Sequence, residues 1–286
     1  MTEDDVDGPE SKRRLGIQSV EIGARVLFEL ANCGRAVTLS ELSRRLDMAP
    51  SNVRRYLVSL VTAGLVEQET QSLRYHLGVS SIRLGLAAMG QRPEIELAVE
   101  EARSLRDEVD CCVGVLCPGE SGLVMIRWLE NGDRVTHVGK IGATFSLIHS
   151  AAGRAFLAFL PVEVARAAYE REARGASVPT DAGVRLLWQD FASMLARTKE
   201  EGASHVRDDY TAGIEAVGAP VFNAAGEIAF ILTLVGRTGI FDAESKPAAP
   251  AALKRAAQRL SAVLGYTEGA APIAFPDRLR LSSRDL

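Results

Sequence analysis

From Ala49 to Gly64 the chain reads APSNVRRYLVSLVTAG, and its apolar residues return at helical spacing. Val53, Leu57, Leu60 and Val61 fall at i, i+4, i+7 and i+8, which predicts a helix with one buried face. Asn52, Arg55, Ser59 and Thr62 occupy the opposite face, flanked by Ser51 and Arg54. Upstream, Thr38-Leu39-Ser40-Glu41 is a capping box that opens a short helix with Leu39, Leu42 and Leu46 inward. Pro50 disfavours the α conformation at Ala49, so Asp47 to Pro50 forms a tight connector between the two helices. After Gly64 the runs Leu65–Glu67 and Leu73–Leu77, parted by a polar turn, predict two short strands. A further helix over Ser19–Asn32, with Val20, Ala24, Leu27 and Ala31 inward and Gly34 at its end, completes a winged helix-turn-helix.

Beyond the wing, Ser80–Met89 reads as a connecting helix with Ile82, Leu84, Leu86 and Met89 apolar, and Gly90-Gln91-Arg92-Pro93 is the best domain boundary. A helix over Glu94–Val109 precedes three strand-like runs, Cys111–Cys117, Leu123–Leu129 and Arg134–Lys140, expected to form an antiparallel meander. Ile141–Ser150 reads as a loop. Helices follow at Ala151–Leu160, Val162–Ala173 and Val184–Glu201, then strands at Ser204–Arg207, Glu215–Phe222 and Ile228–Gly236, and a last helix over Ala243–Leu264. The fold class is therefore multidomain α+β, with a mostly antiparallel sheet in the second domain. The expected divisions are an acidic arm at 1–16, the winged helix-turn-helix at 17–78, a connecting helix at 79–92, the α+β domain at 93–266 and a tail at 267–286.

Charge changes the picture once it is divided along the chain. The net charge is −4, yet residues 11–78 hold ten Lys/Arg against six acids, while residues 1–10 hold five acids and no base. The surplus lies where phosphate contacts need it. Arg forks onto guanine, Asn pairs with adenine, and hydroxyls hold phosphates, so the polar face of the 50–63 helix suits a major groove. Ser51, Asn52, Arg54, Arg55 and Ser59, with Thr38 and Arg74 beside them, are the expected contacts to double-stranded DNA. The alternative is a winged helix that contacts protein. No apolar run approaches the roughly 18 residues of a membrane span, so a cytoplasmic protein is expected. Cys33, Cys111, Cys112 and Cys117 lack zinc-ligand spacing, and His76, His137, His149 and His205 sit in no catalytic motif, so neither cofactor nor catalysis is expected.

The segment from Ser19 to Gly78 resembles the DNA-binding domain of the IclR family of bacterial transcriptional regulators, and the likeness runs on to Tyr266. Ser51, Val53, Arg55 and Leu57 match the family pattern, while Asn52 stands where Thr is usual and Arg54 where His or Tyr is typical. In the second half, GATFSLIHSAAGRAFLAFLP from Gly142 is similar to a family segment, with Ser146 in place of its proline and Leu147, Ser150, Ala151, Gly153, Arg154 and Ala155 fitting. A second matching stretch begins at Ala212. The resemblance implies a GAF-like effector domain, a regulator that responds to a small molecule, and a homodimer or homotetramer. It also implies that Leu147, Ala151, Gly153 and Thr233 face the effector, with an acid such as Asp209 nearby.

Elementary chemistry points to the same place. Ser150 is a natural N-cap, and the small residues after it leave helix N–H groups open to an anion, so a carboxylate effector is expected, with Ser150 and His149 in reach.

Overall fold

The computed structural model describes residues 16–119, 122–132, 140–175, 187–242 and 245–267. The acidic arm, the expected strand at 134–140 apart from Lys140, His137, the start of the helix expected from Val184, and the tail beyond Thr267 lie outside them. Contacts divide the chain into two compact units, Met1–Ala88 and Met89–Leu286.

In the first unit, α1 (Gln18–Cys33), α2 (Leu39–Leu46) and α3 (Pro50–Thr62) pack around a small core, and β1 (Val66–Gln68) pairs antiparallel with β2 (Tyr75–Leu77) as the wing. Thr38 caps α2 by accepting the Glu41 N–H at 3.3 Å. The reciprocal half of the capping box does not form: the Glu41 carboxylate turns to Arg35 instead, at 2.5 Å. Pro50 opens α3 with Ala49 as N-cap, and Asp47 takes the left-handed conformation that ends α2. The core comprises Val26, Leu30, Val37, Leu42, Leu46, Val53, Leu57, Val66 and Tyr75.

Two faces differ from the periodic reading. In α1 the buried positions are Gly23, Val26 and Leu30, while Val20 is 65 % exposed. The helix carries apolar residues all round, so the stripe is set by what meets it: Gly23 lies against the Tyr56 ring of α3. In α3, Val61 is 40 % exposed and stands outside the core. The next helix, α4 (Val79–Gly90), has no buried residue; Val79, Ile82, Leu84 and Leu86 are all exposed.

In the second unit, α5 (Pro93–Val109) leads into β3 (Cys112–Gly119) and β4 (Gly122–Leu129). The segment expected as a loop contains a short strand, β5 (Thr144–Phe145), which pairs with β4. Helices α6 (Ala151–Ala158), α7 (Val162–Gly175) and α8 (Trp188–Glu201) follow, then β6 (Ser204–Arg207), β7 (Ile214–Phe222), β8 (Ile228–Arg237) and α9 (Ala249–Val263). The last helix starts later than its composition suggests, because Pro247 and Pro250 lack the N–H needed in a helix interior and Pro250 instead fits its first turn. All pairings among the described residues are antiparallel, in the order β5-β4-β3-β8-β7-β6. β3 and β4 pair as a hairpin, and the other edge of β3 pairs β8 through Gly114↔Thr233 and its neighbours.

Side chains alternate across this sheet. Val113, Val115, Val217, Ala219, Leu232 and Leu234 face α5 and α9. Leu116, Leu123, Met125 and Ile231 face the layer of α6, α7 and α8. Next to that second layer lies a stretch of sheet carrying Ile214, Ala216, Thr233 and Val235, and it floors a cavity.

Candidate DNA-reading face and effector cavity

The outward side of α3 is built by its own periodicity: with Val53 and Leu57 wholly buried, Ser51, Asn52, Arg54, Arg55 and Ser59 are exposed. Ser51, Arg54 and Arg55 share a hollow with Leu39, Pro50 and Val58. Neither arginine has an ion-pair partner among the described residues, so both guanidinium groups are available to a polyanion. Ser59 donates its hydroxyl to the Arg55 carbonyl at 3.3 Å. Thr38 and Arg74 stand apart from this hollow. Thr38 serves as a cap, and half-buried Arg74 donates to the Ala36 carbonyl at 3.3 Å from the wing. Leu39 and Val58, which join the arginines in the hollow, are absent from any list based on polarity; Val58 is 59 % exposed.

The cavity in the second unit has about 470 Å³ of empty space when the open solvent at its mouth is counted. Its floor is Leu116, Met125, Trp128, Ile214, Ala216, Thr233 and Val235; Phe145, Ser150, Ala151, Ala152, Val206, Tyr210 and Thr211 form its walls. Two glycines shape it. A side chain at Gly114 would meet Thr233 Oγ1 at 2.6 Å, and one at Gly218 would meet the Ala151 carbonyl at 2.8 Å. Their absence hollows the sheet and lets the start of α6 come down onto it.

Ser150 is the N-cap of α6, as its position predicts, but its hydroxyl is committed: it accepts the Gly153 N–H at 2.9 Å and donates to the Ser146 carbonyl at 2.5 Å. The amides left without a hydrogen bond among the described residues at this helix start are those of Ala151 and Ala152, both in the wall. Gly153 and Leu147, expected at the ligand, lie outside the lining. Gly153 is needed for contact instead: a Cβ there would stand 2.3 Å from the Ser146 carbonyl oxygen and 2.4 Å from Leu147 Cα. Leu147 is buried in the core beneath α6. Its N–H donates to Glu172 of α7 at 2.8 Å, and Ser146 donates its hydroxyl to the same carboxylate. A proline at 146 has no hydroxyl for that bond, so the serine ties this loop to α7.

Asp209 also stands behind the lining. Its carboxylate takes His149 Nδ1 at 2.9 Å and the buried Arg154 guanidinium. Burial pushes the Asp209 carboxyl up, but the His149 hydrogen bond and the Arg154 charge outweigh it and hold the group below its ordinary value. Burial likewise lowers Arg154, against the pull of Asp209. The pair thereby fixes the 208–213 loop, and the next residue, Tyr210, stacks on Phe145 at 5.6 Å. Burial, helped by Glu172, raises the Tyr210 phenol, so it stays protonated. Trp128, Phe145, Tyr210, Ile214 and Ala216 were not foreseeable as a set; only the alternation of Ile214 and Ala216 hints that they share a face.

The model of the IclR helix-turn-helix domain matches residues 19–70, and that of the bacterial transcriptional regulator IclR C-terminal domain matches residues 95–262. The chain belongs to the IclR family. IclR-type regulators are DNA-binding transcription regulators, and this chain is one. It is 27 % identical over 224 residues to the HTH-type transcriptional regulator BhcR of Paracoccus denitrificans, covering 78 % of each chain. It is 30 % identical to Pseudomonas aeruginosa HmgR, whose crystal structure it matches over 88 % of this chain and all of that one, with a TM-score of 0.53. An IclR homologue from Microbacterium hydrocarbonoxydans, solved with 4-hydroxybenzoate, shares the fold with a TM-score of 0.65 at 19 % identity, over 86 % of this chain and 98 % of that one. No helix among the described residues is long and apolar enough to cross a membrane.

Proposed function

We propose that this IclR-family regulator binds operator DNA through the exposed face of α3, senses a small organic acid in the cavity beside α6, and changes its DNA affinity when that acid binds. The observation that carries the DNA half is the pair Arg54 and Arg55, exposed beside Ser51 without acidic partners among the described residues. The acid is supported by the amides of Ala151 and Ala152, which have no hydrogen bond among the described residues, since helix N-termini favour anions. The complex of a fold neighbour with 4-hydroxybenzoate agrees with a carboxylate. Ser150, Ala151 and Thr233 line the site; Leu147, Gly153, Asp209 and His149 hold its walls in place. The protein acts in the cytoplasm and catalyses no reaction.

It works as a homodimer that can pair into a tetramer. A helix that buries no residue and exposes Val79, Ile82, Leu84 and Leu86, as α4 does, is stable in water when another surface covers it. Two-fold pairing doubles the phosphate contacts of a module whose basic surplus is small. Selection from a random DNA library tests this reading: it should enrich a two-fold repeated site, and failure to enrich any sequence would overturn it.

A further inference from the structure

We propose that the effector is a small aromatic monoacid, a benzoate-like molecule, and that polyhydroxylated acids and dicarboxylates are excluded. The inference rests on the acid-sensing reading above and is carried by the composition of the cavity wall.

Of the 14 lining residues, Trp128, Phe145 and Tyr210 are aromatic, and Leu116, Met125, Val206, Ile214 and Val235 are large and apolar. Phe145 and Tyr210 stack with ring planes 29° apart. Flat π faces and a polarisable thioether attract an aromatic ring beyond what its area alone gives. No Lys, Arg or His is among the described lining residues. The nearest buried cation, Arg154, spends its guanidinium on Asp209 and the Ile148 carbonyl. The anion-binding groups of this wall are therefore the amides of Ala151 and Ala152, which have no hydrogen bond among the described residues.

Hydroxyl capacity is as limited. Ser150 is committed in both directions. Among the described residues Thr233 has only a long contact, 3.5 Å, to the Gly114 carbonyl, and the Thr211 and Tyr210 hydroxyls are the others in the wall. These accommodate one or two ring substituents. A sugar acid would bury several hydroxyls without partners, and a second carboxylate would be buried without a cation; both are strongly unfavourable.

The test uses the full-length protein, titrated calorimetrically with benzoate, succinate and gluconate while tryptophan emission is followed. The chain has two tryptophans, and Trp188 packs on Tyr169 and Phe191 in the helical layer. Trp188→Phe therefore leaves Trp128 as the only reporter. Benzoate should bind at least ten-fold tighter than either competitor and quench Trp128. Ala216→Phe should fill the floor and abolish binding, with the melting temperature checking the fold. Tyr210→Ala, at a half-exposed rim position, should weaken benzoate several-fold even where the larger substitution fails to fold. If succinate or gluconate binds as tightly as benzoate and is lost in these variants, the acid-sensing site stands and the aromatic class is wrong. If benzoate binds both variants as it binds the parent, the cavity itself is the wrong place. Absence of binding by benzoate at millimolar concentration also overturns the proposal.

Discussion

At the residue scale the account depends on which polar groups are free and which are committed. Arg55 is exposed and unpaired among the described residues, so Arg55→Ala should leave the fold intact and remove about 1–3 kcal/mol of discrimination at one base pair. Titration of operator variants checks this, and unchanged sequence preference would remove Arg55 from the contact set. Asp209 is committed to Arg154, whose side chain is only 7 % exposed. Asp209→Asn leaves that cation without its partner and should cost about 3 kcal/mol of stability in the second unit, measurable by denaturant unfolding. Glu215 is wholly buried. Burial pushes its carboxyl up, but hydrogen bonds from Arg207, His205 and the Gly239 N–H more than compensate and hold it below its ordinary value. A carboxyl held low in the folded state contributes stability that is present above the unfolded value, here near 4.5, and is lost as pH falls through the folded value. Melting temperature should therefore drop on acidification below about pH 4.5, and Glu215→Gln should flatten that limb. An identical acid limb in the variant would show that Glu215 contributes nothing to it.

At the scale of elements, what could be read from the sequence was what local chemistry decides. Thr38 and Pro50 announce the starts of α2 and α3, and the spacing of Val53 and Leu57 sets the buried face of α3. Leu57→Ala should therefore destabilise the first unit by about 2–5 kcal/mol; equal melting of the variant and parent fragments would contradict the register. The buried stripe of α1 departs from simple periodicity because Val20, Ile22, Phe28 and Leu30 offer several apolar faces, and the Tyr56 ring that chooses among them belongs to another helix. The strand beginnings and ends were legible, but the pairing of Gly114 with Thr233 spans 119 residues and follows no local pattern. The cavity floor depends on that pairing, which is why Trp128 and Ala216 could not be placed beside Thr233 in advance. Gly153 marks the limit most clearly: a small residue at a helix start reads equally well as room for a ligand or as room for backbone, and Ser146 and Leu147 settle it as backbone. Gly153→Val should accordingly destabilise the second unit, with unfolding as the readout, rather than merely fill a cavity.

At the scale of the whole molecule, the proposed regulator needs two surfaces whose occupancies influence one another. The exposed apolar α4 supplies the expected route to self-association, and Leu84→Glu should shift the sedimenting species toward monomer; unchanged mass would place the interface elsewhere. An effector changes DNA affinity only to the extent that it binds one state of the assembly better than another. A coupling of the usual size, about 1–3 kcal/mol, changes operator affinity by roughly 5- to 150-fold, and reciprocity requires the operator to change effector affinity by the same factor. The most direct measurement is calorimetric titration of benzoate into the full-length protein, alone and saturated with an operator selected by that protein. The account predicts dissociation constants that differ by roughly 5- to 150-fold between the two titrations, matched by an equal change in operator affinity when benzoate is saturating. Equal benzoate affinity with and without operator would contradict it.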